Sequence, residues 1–263
     1  SCDTEERKIN LNAFWQGEGN AAGQAVYEQQ KALLFSLLSH PDFEPIFEGR
    51  GSRRDEMQRV VNAIADWADA DDRVNEAPGL AGDYEESLYK DLTYKPKNGK
   101  YATPAELLLI PGVGDDLYRL LAPSITVFGD NKINLCQATE ALVVSFLVHY
   151  SNTTPGASPF KVDDETRKKT LLDAIGQACQ QPNPQATQIA NAITSILGGA
   201  AGGGTGTGGP APGVPALAQR ISTTNRFYTV QAIGSSGESV VTIRLVLDMG
   251  DPNVAKVLYY RVE

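Results

Sequence analysis

From Ala25 to Leu38 the apolar positions Val26, Leu33, Leu34, Leu37 and Leu38 fall on one helical face, and His40-Pro41 ends the run. The same spacing returns through Met57, Val60, Val61, Ile64 and Trp67, and again over Thr139–Tyr150, Asp163–Cys179 and Gln185–Leu197. Period two marks Arg7–Phe14 near one end and Phe227–Ile233, Ser239–Asp248 and Val254–Val262 at the other. Turn-rich segments at Gly234–Gly237 and Met249–Asn253 separate the last three. They predict an antiparallel meander whose buried face carries Val241, Ile243, Leu245 and Leu247, with Thr242, Arg244 and Asp248 on the other.

Strands at both ends of the chain can share one sheet only if the helices between them form an insertion. The expected fold class is therefore α+β, a small antiparallel sheet with a large all-helical subdomain inserted into it. The expected division is 1–16 and 221–263 for the sheet, 17–197 for the helical part and 198–220 for a flexible connector. Nine of the 25 glycines fall between Gly198 and Gly213, a composition from which no core is built.

Three local signals refine this picture. Thr103-Pro104-Ala105-Glu106 reads as a capping box, with Glu106 reaching back to the cap. Leu107–Leu117 then reads as a helix-hairpin-helix around Pro111-Gly112-Val113-Gly114. Lys132-Ile133-Asn134-Leu135-Cys136 nearly repeats Lys8-Ile9-Asn10-Leu11-Asn12, which is either a chance match or the mark of two equivalent places where an extended segment enters a helix.

Charge removes several function classes. The 263 residues carry 23 basic and 32 acidic side chains, a formal charge of −9. A net-acidic chain repels phosphate, so no nucleic-acid partner is expected. Asp115 and Asp116 stand where a DNA-binding hairpin wants a base. No apolar run approaches the roughly 20 residues that span a bilayer. The chain opens at Ser1-Cys2, and a processed or trimmed N-terminus is expected. The two histidines, His40 and His149, both sit where a structural role is expected, and no zinc spacing is present, so no enzyme is expected. Cys2, Cys136 and Cys179 allow one disulfide, with the pair left open. Trp15 and Trp67 are expected in the core, and Tyr259-Tyr260 to split across the sheet.

The densest chemistry lies between Asp66 and Glu86, which holds eight acids against one base, Arg73. Carboxylates this crowded repel unless they are solvated, paired or bridged by a hard cation, and calcium takes 6–8 oxygens from flexible loops. A solvated acidic loop is the competing reading. The spacing is not that of an EF-hand, since Val74 replaces the loop glycine.

Several blocks coincide in order: Lys8–Asn12, Asp66–Asp72, Tyr94–Asn98, Glu106–Gly112 with Leu117-Tyr118 and Leu121–Pro123, and Thr126-Val127 leading to Lys132–Asn134. In this order and spacing the chain resembles the general secretion pathway protein K family, the large minor pseudopilins of type II secretion systems. The resemblance implies a pilin-like sheet interrupted by a helical domain of helix-hairpin-helix (SAM-like) type, with an N-terminal hydrophobic helix absent from this sequence. It implies a periplasmic domain of a single-pass inner-membrane protein that caps the pseudopilus tip with other minor pseudopilins, aids export of folded proteins and contacts those secreted proteins. It also implies calcium in the helical domain, carried over to Asp69, Asp71, Asp72, Asp83, Glu85 and Glu86. The alternatives are a tip or minor pilin of a type IV pilus, and a helix-hairpin-helix DNA-binding protein.

Overall fold

The computed structural model describes residues 1–17, 21–49, 51–75, 84–198, 214–237, 239–251 and 253–263. The chain starts with β1 (Cys2–Thr4) and β2 (Ile9–Asn10), followed by α1 (Ala21–Leu38), α2 (Glu44–Phe47) and α3 (Arg53–Asp66). The middle holds α4 (Asp115–Leu121), β3 (Ile125–Thr126), α5 (Glu140–Thr153), α6 (Glu165–Cys179) and α7 (Ala186–Leu197). After α8 (Val214–Ala218) come β4 (Phe227–Ser236), β5 (Ser239–Asp251) and β6 (Val254–Val262). The fold is a mixture of helices and an antiparallel sheet, as the pattern of periods predicts.

The helices start where the sequence supplies caps. Ser52 accepts from the Asp55 amide, Thr139 from that of Leu142 and Asp164 from that of Arg167, so each side chain satisfies one orphan donor of α3, α5 or α6. Helix α5 is apolar nearly all round, with Leu142, Val143, Val144, Phe146 and Leu147 buried, so it runs through the middle of the helical core. Leu33, Leu34, Leu37 and Leu38 of α1 pack into the same core. Cys136 and Cys179 form the disulfide, tying the segment before α5 to the end of α6 and leaving Cys2 free and exposed.

The segment Arg7–Phe14 is not one strand. Only Ile9–Asn10 is extended, pairing in parallel with Ile125–Thr126, and Leu11–Gly17 winds as a 3-10 helix. Ile9, Leu11 and Phe14 are all buried in the helical core, so the alternation that reads as a half-exposed strand is a short strand and a turn immersed together. The strand that enters the main sheet is β1, which precedes it. Sheet order is β1-β4-β5-β6, all neighbours antiparallel, with Cys2 opposite Val230 and Leu245 opposite Tyr260.

The near-repeat proves to be a structural pair. In both copies the asparagine side chain accepts from the amide two residues on, Asn10 from Asn12 at 3.0 Å and Asn134 from Cys136 at 3.1 Å. Both asparagines also donate across the fold, Asn10 to the Gly129 carbonyl and Asn134 to Asn225. Of the expected connector, residues 199–213 lie outside the described residues. Val214–Ala218 is a helix, because Val214 and Leu217 bury their side chains in the core.

The burial of the sheet is the reverse of the sequence expectation. Val246, with Thr229 and Tyr259 beside it, is the residue turned onto the helical body, and it is 4% exposed. Val241, Ile243, Leu245 and Leu247 share the opposite face with Val257, Tyr260 and Val262, and Tyr260 is 60% exposed. A strand pattern shows which side chains share a face but not which face meets the core.

Two buried acids fasten the sheet to the body. Glu6 accepts from the Arg226 and Phe227 amides at 2.7 and 3.0 Å. Glu5 accepts from Thr229 of β4, Thr126 of β3 and Lys8. Burial alone would raise the Glu5 carboxyl, but Lys8 and the two hydroxyls outweigh it and hold it below the usual range.

Candidate metal centre

Helix α3 ends at Asp66, and the chain turns immediately, so that Asp69 follows three residues later on the same side. Both side chains are buried, at 3% and 5% exposure. Glu85, at 1%, returns to them from a 3-10 turn (Glu85–Tyr89), and its amide donates to the Asp72 carbonyl at 3.2 Å. One ligand atom from each of the three carboxylates lies within 4.8 Å of the others.

The surrounding groups fix this triad. The Tyr27 hydroxyl donates to Asp69 Oδ2 at 2.7 Å. The Asn75 amide donates to Asp66 Oδ1 at 3.2 Å, and the Asn75 side chain donates to Asp66 and to the Tyr27 hydroxyl. Lys31 reaches Asn75 Oδ1 at 2.8 Å and stops one residue short of the acids. Asp69 Oδ1, both oxygens of Glu85 and Asn98 Oδ1 are buried with no hydrogen-bond partner.

Electrostatics records the cost. Burial first, then the neighbouring acids, pushes Glu85 up to about 9. Asp66 is pushed up to about 7 and Asp69 to about 6, again by burial first, against hydrogen bonds from Asn75 and Tyr27 that act the other way. A hard cation answers each of these observations, because it binds ionised oxygen and supplies partners to the orphaned atoms. The donor set is all oxygen, three buried carboxylates within reach of one another, and it fits calcium.

The six residues named from sequence separate here. Asp69 and Glu85 converge. Asp71 and Asp72 are exposed, and Asp71 accepts from the Arg73 amide. Glu86 is exposed and pairs with Lys95 at 2.8 Å. Asp83 lies outside the described residues. Asp66, absent from that set, is the third carboxylate. Its signal in the sequence is the i, i+3 spacing to Asp69 at a helix end. Tyr27, Lys31 and Asn98 carry no local signal, being 42, 38 and 29 residues from Asp69.

The capping-box region closes the neighbourhood. Glu106 accepts from the Ala102 and Thr103 amides, from Lys97 and from the Trp67 indole at 3.0 Å. Pro104–Leu109 is a 3-10 helix, and Gly112 turns the chain into α4 at a φ of 91°, which glycine adopts without strain. Trp67 is buried and packs at a tilt against Tyr89 and edge-to-face against Tyr94, and Trp15 is half-buried.

Comparison with known proteins places this arrangement. Residues 7–130 match the family model of type II secretion system protein K. A curated relative, the type II secretion system protein K of Pectobacterium carotovorum subsp. carotovorum, is 28% identical over 136 residues, covering 50% of this chain. The match spans only 37% of that relative's length. The whole chain also superposes on a chain of the crystal structure of the GspK-GspI-GspJ complex from the enterotoxigenic Escherichia coli type 2 secretion system. The TM-score is 0.61 at 14% identity, covering 78% of the matched chain, a likeness of fold. The resemblance carried by the ordered motifs is thereby supported over residues 7–130, just under half of the chain, which are similar to the protein K family of type II secretion systems.

Proposed function

We propose that the chain is the periplasmic part of a minor pseudopilin that caps the tip of a type II secretion pseudopilus, in complex with other minor pseudopilins, and so aids export of folded proteins across the outer membrane. The observation that carries this reading is the match of residues 7–130 to the family model. The outward apolar sheet face supports it, since Leu245, Leu247, Val257 and Tyr260 form a strip without a covering element among the described residues. An apolar helix preceding Ser1, anchored in the inner membrane, would seat there and give the sheet its pilin-like form. The helical body stands on the opposite face, where its bulk would stop further subunits from adding. The role is structural: the buried acids are tied to a scaffold, and His149 of α5 is buried.

Calcium belongs to this reading as a stabilising ion. Asp66, Asp69 and Glu85 would hold it, and it would neutralise a buried negative cluster whose charge Lys31 balances only in part. Tyr27 and Asn75 orient the carboxylates, and Lys31 balances part of their charge from behind.

The test is co-purification with the other two minor pseudopilins of the same secretion system. A stable ternary complex is expected. If the two partners pair with each other while this chain stays monomeric, the proposal is overturned.

A further inference from the structure

Apart from the acidic triad, a groove of about 1040 Å³ is bounded by α1, α5, the turn at 130–133 and the segment from Ala216 to Arg220. Its polar lining has no role in the metal centre. Arg220 lies over the Phe146 ring at 5.1 Å and has no ion pair among the described residues. Burial lowers it to about 10, with no carboxylate offsetting the cost. Two further polar side chains line the same space while more than nine-tenths buried. They are His149, whose Nε2 has no partner, and Gln30, whose Oε1 has none. Burial, and then Arg220, keeps His149 neutral by pushing it down to about 3. Residues 199–213, which precede α8 in sequence and lie outside the described residues, contain no acid.

We propose that this groove binds a single carboxylate carried on an extended, otherwise uncharged peptide segment of a partner protein, with Arg220 as its ionic partner. The chemistry selects that ligand in three ways. A guanidinium half-withdrawn from water and backed by an aromatic ring favours a planar anion with two oxygens. The exposed acids Glu28 and Asp130 stand at the rim, so a run of acidic residues would be repelled where one is accepted. The groove follows α1 from Val26 to Leu33, roughly 10 Å at 1.5 Å per residue, longer than a free carboxylate fills. Leu33 and Leu217 offer apolar contacts, and Gln30 and Thr153 can meet a peptide backbone.

The test is calorimetric titration of the 1–263 chain with a capped hexapeptide holding one central glutamate among valines and leucines, and with its glutamine counterpart. The glutamate peptide is expected to bind at least tenfold more tightly. Arg220→Gln should abolish that difference while circular dichroism stays unchanged, and Arg220→Lys should keep part of it. Equal affinities for the two peptides on the unaltered chain would overturn the proposal, and this comparison needs no variant to fold. A preference that survives Arg220→Gln overturns the role of Arg220. Acetate binding as tightly as the peptide overturns the peptide assignment in favour of a small carboxylate.

Discussion

Asp66 sits at the C-terminal end of α3, where the helix dipole is negative, and faces two more acids at close range. Such a position costs free energy whenever the group is ionised. The sign of the pH effect follows. Each carboxyl binds its proton more tightly in the folded chain than in the unfolded one, so its contribution is intact below about pH 4. It is lost as pH rises through the folded values of about 6, 7 and 9. Metal-free protein should therefore lose several degrees of melting temperature between pH 5 and pH 9, read by thermal unfolding in chelator, and calcium should remove the slope. Glu85→Gln should abolish the calcium-induced rise in melting temperature and stabilise the metal-free chain at pH 8 by on the order of 1–3 kcal/mol. A melting temperature indifferent to calcium in the unaltered chain would remove the ion from the reading. At this scale the acidic window was legible, since carboxylate density is a local property. The ligand set was not, because it depends on which of eight acids the turn after α3 withdraws from water.

The Asn10 and Asn134 turns show how an element begins where sequence periodicity is ambiguous. Each asparagine closes its own turn and reaches across the fold, so Asn134→Ala should cost about 1–3 kcal/mol, measured by urea unfolding, by orphaning the Cys136 amide and the Asn225 oxygen. The match of four residues in five is visible in the sequence, and its meaning lies in a shared hydrogen-bond pattern. The disulfide acts at the same scale, closing a separation of 43 residues between the segment before α5 and the end of α6. Replacing both cysteines with serine should lower stability by about 2–4 kcal/mol in the same assay. Three cysteines alone could not select that pair. The strand expected at Arg7–Phe14 fails for a related reason: period two implies one wet face, and Asn10 and Phe14 on that face are buried along with Ile9 and Leu11.

For the whole molecule, the helices, the terminal strands and the mixture of the two were readable because each rests on its own periodicity. The orientation of the sheet was not, because both faces carry apolar residues and only packing against the body decides between them. Val246 faces inward with Tyr118 and Phe128 across a small cavity, leaving Val257 and Tyr260 outside. A charge on the outer face is therefore tolerated by the isolated chain. Val257→Lys should leave the melting temperature within about 1–2 °C while weakening co-purification with the other minor pseudopilins at least tenfold. A loss of folding instead would show that the face belongs to the core.

The attachment of β1 has a mechanical consequence. Its three residues run antiparallel to β4 and lead directly into Glu5 and Glu6, whose carboxylates grip β4 and the backbone before it. A pull applied at Ser1 along the strand would load those ladder bonds and both carboxylate anchors in parallel, so they must shear together instead of opening one after another. The junction is thus built to transmit tension from the first residues into the helical body.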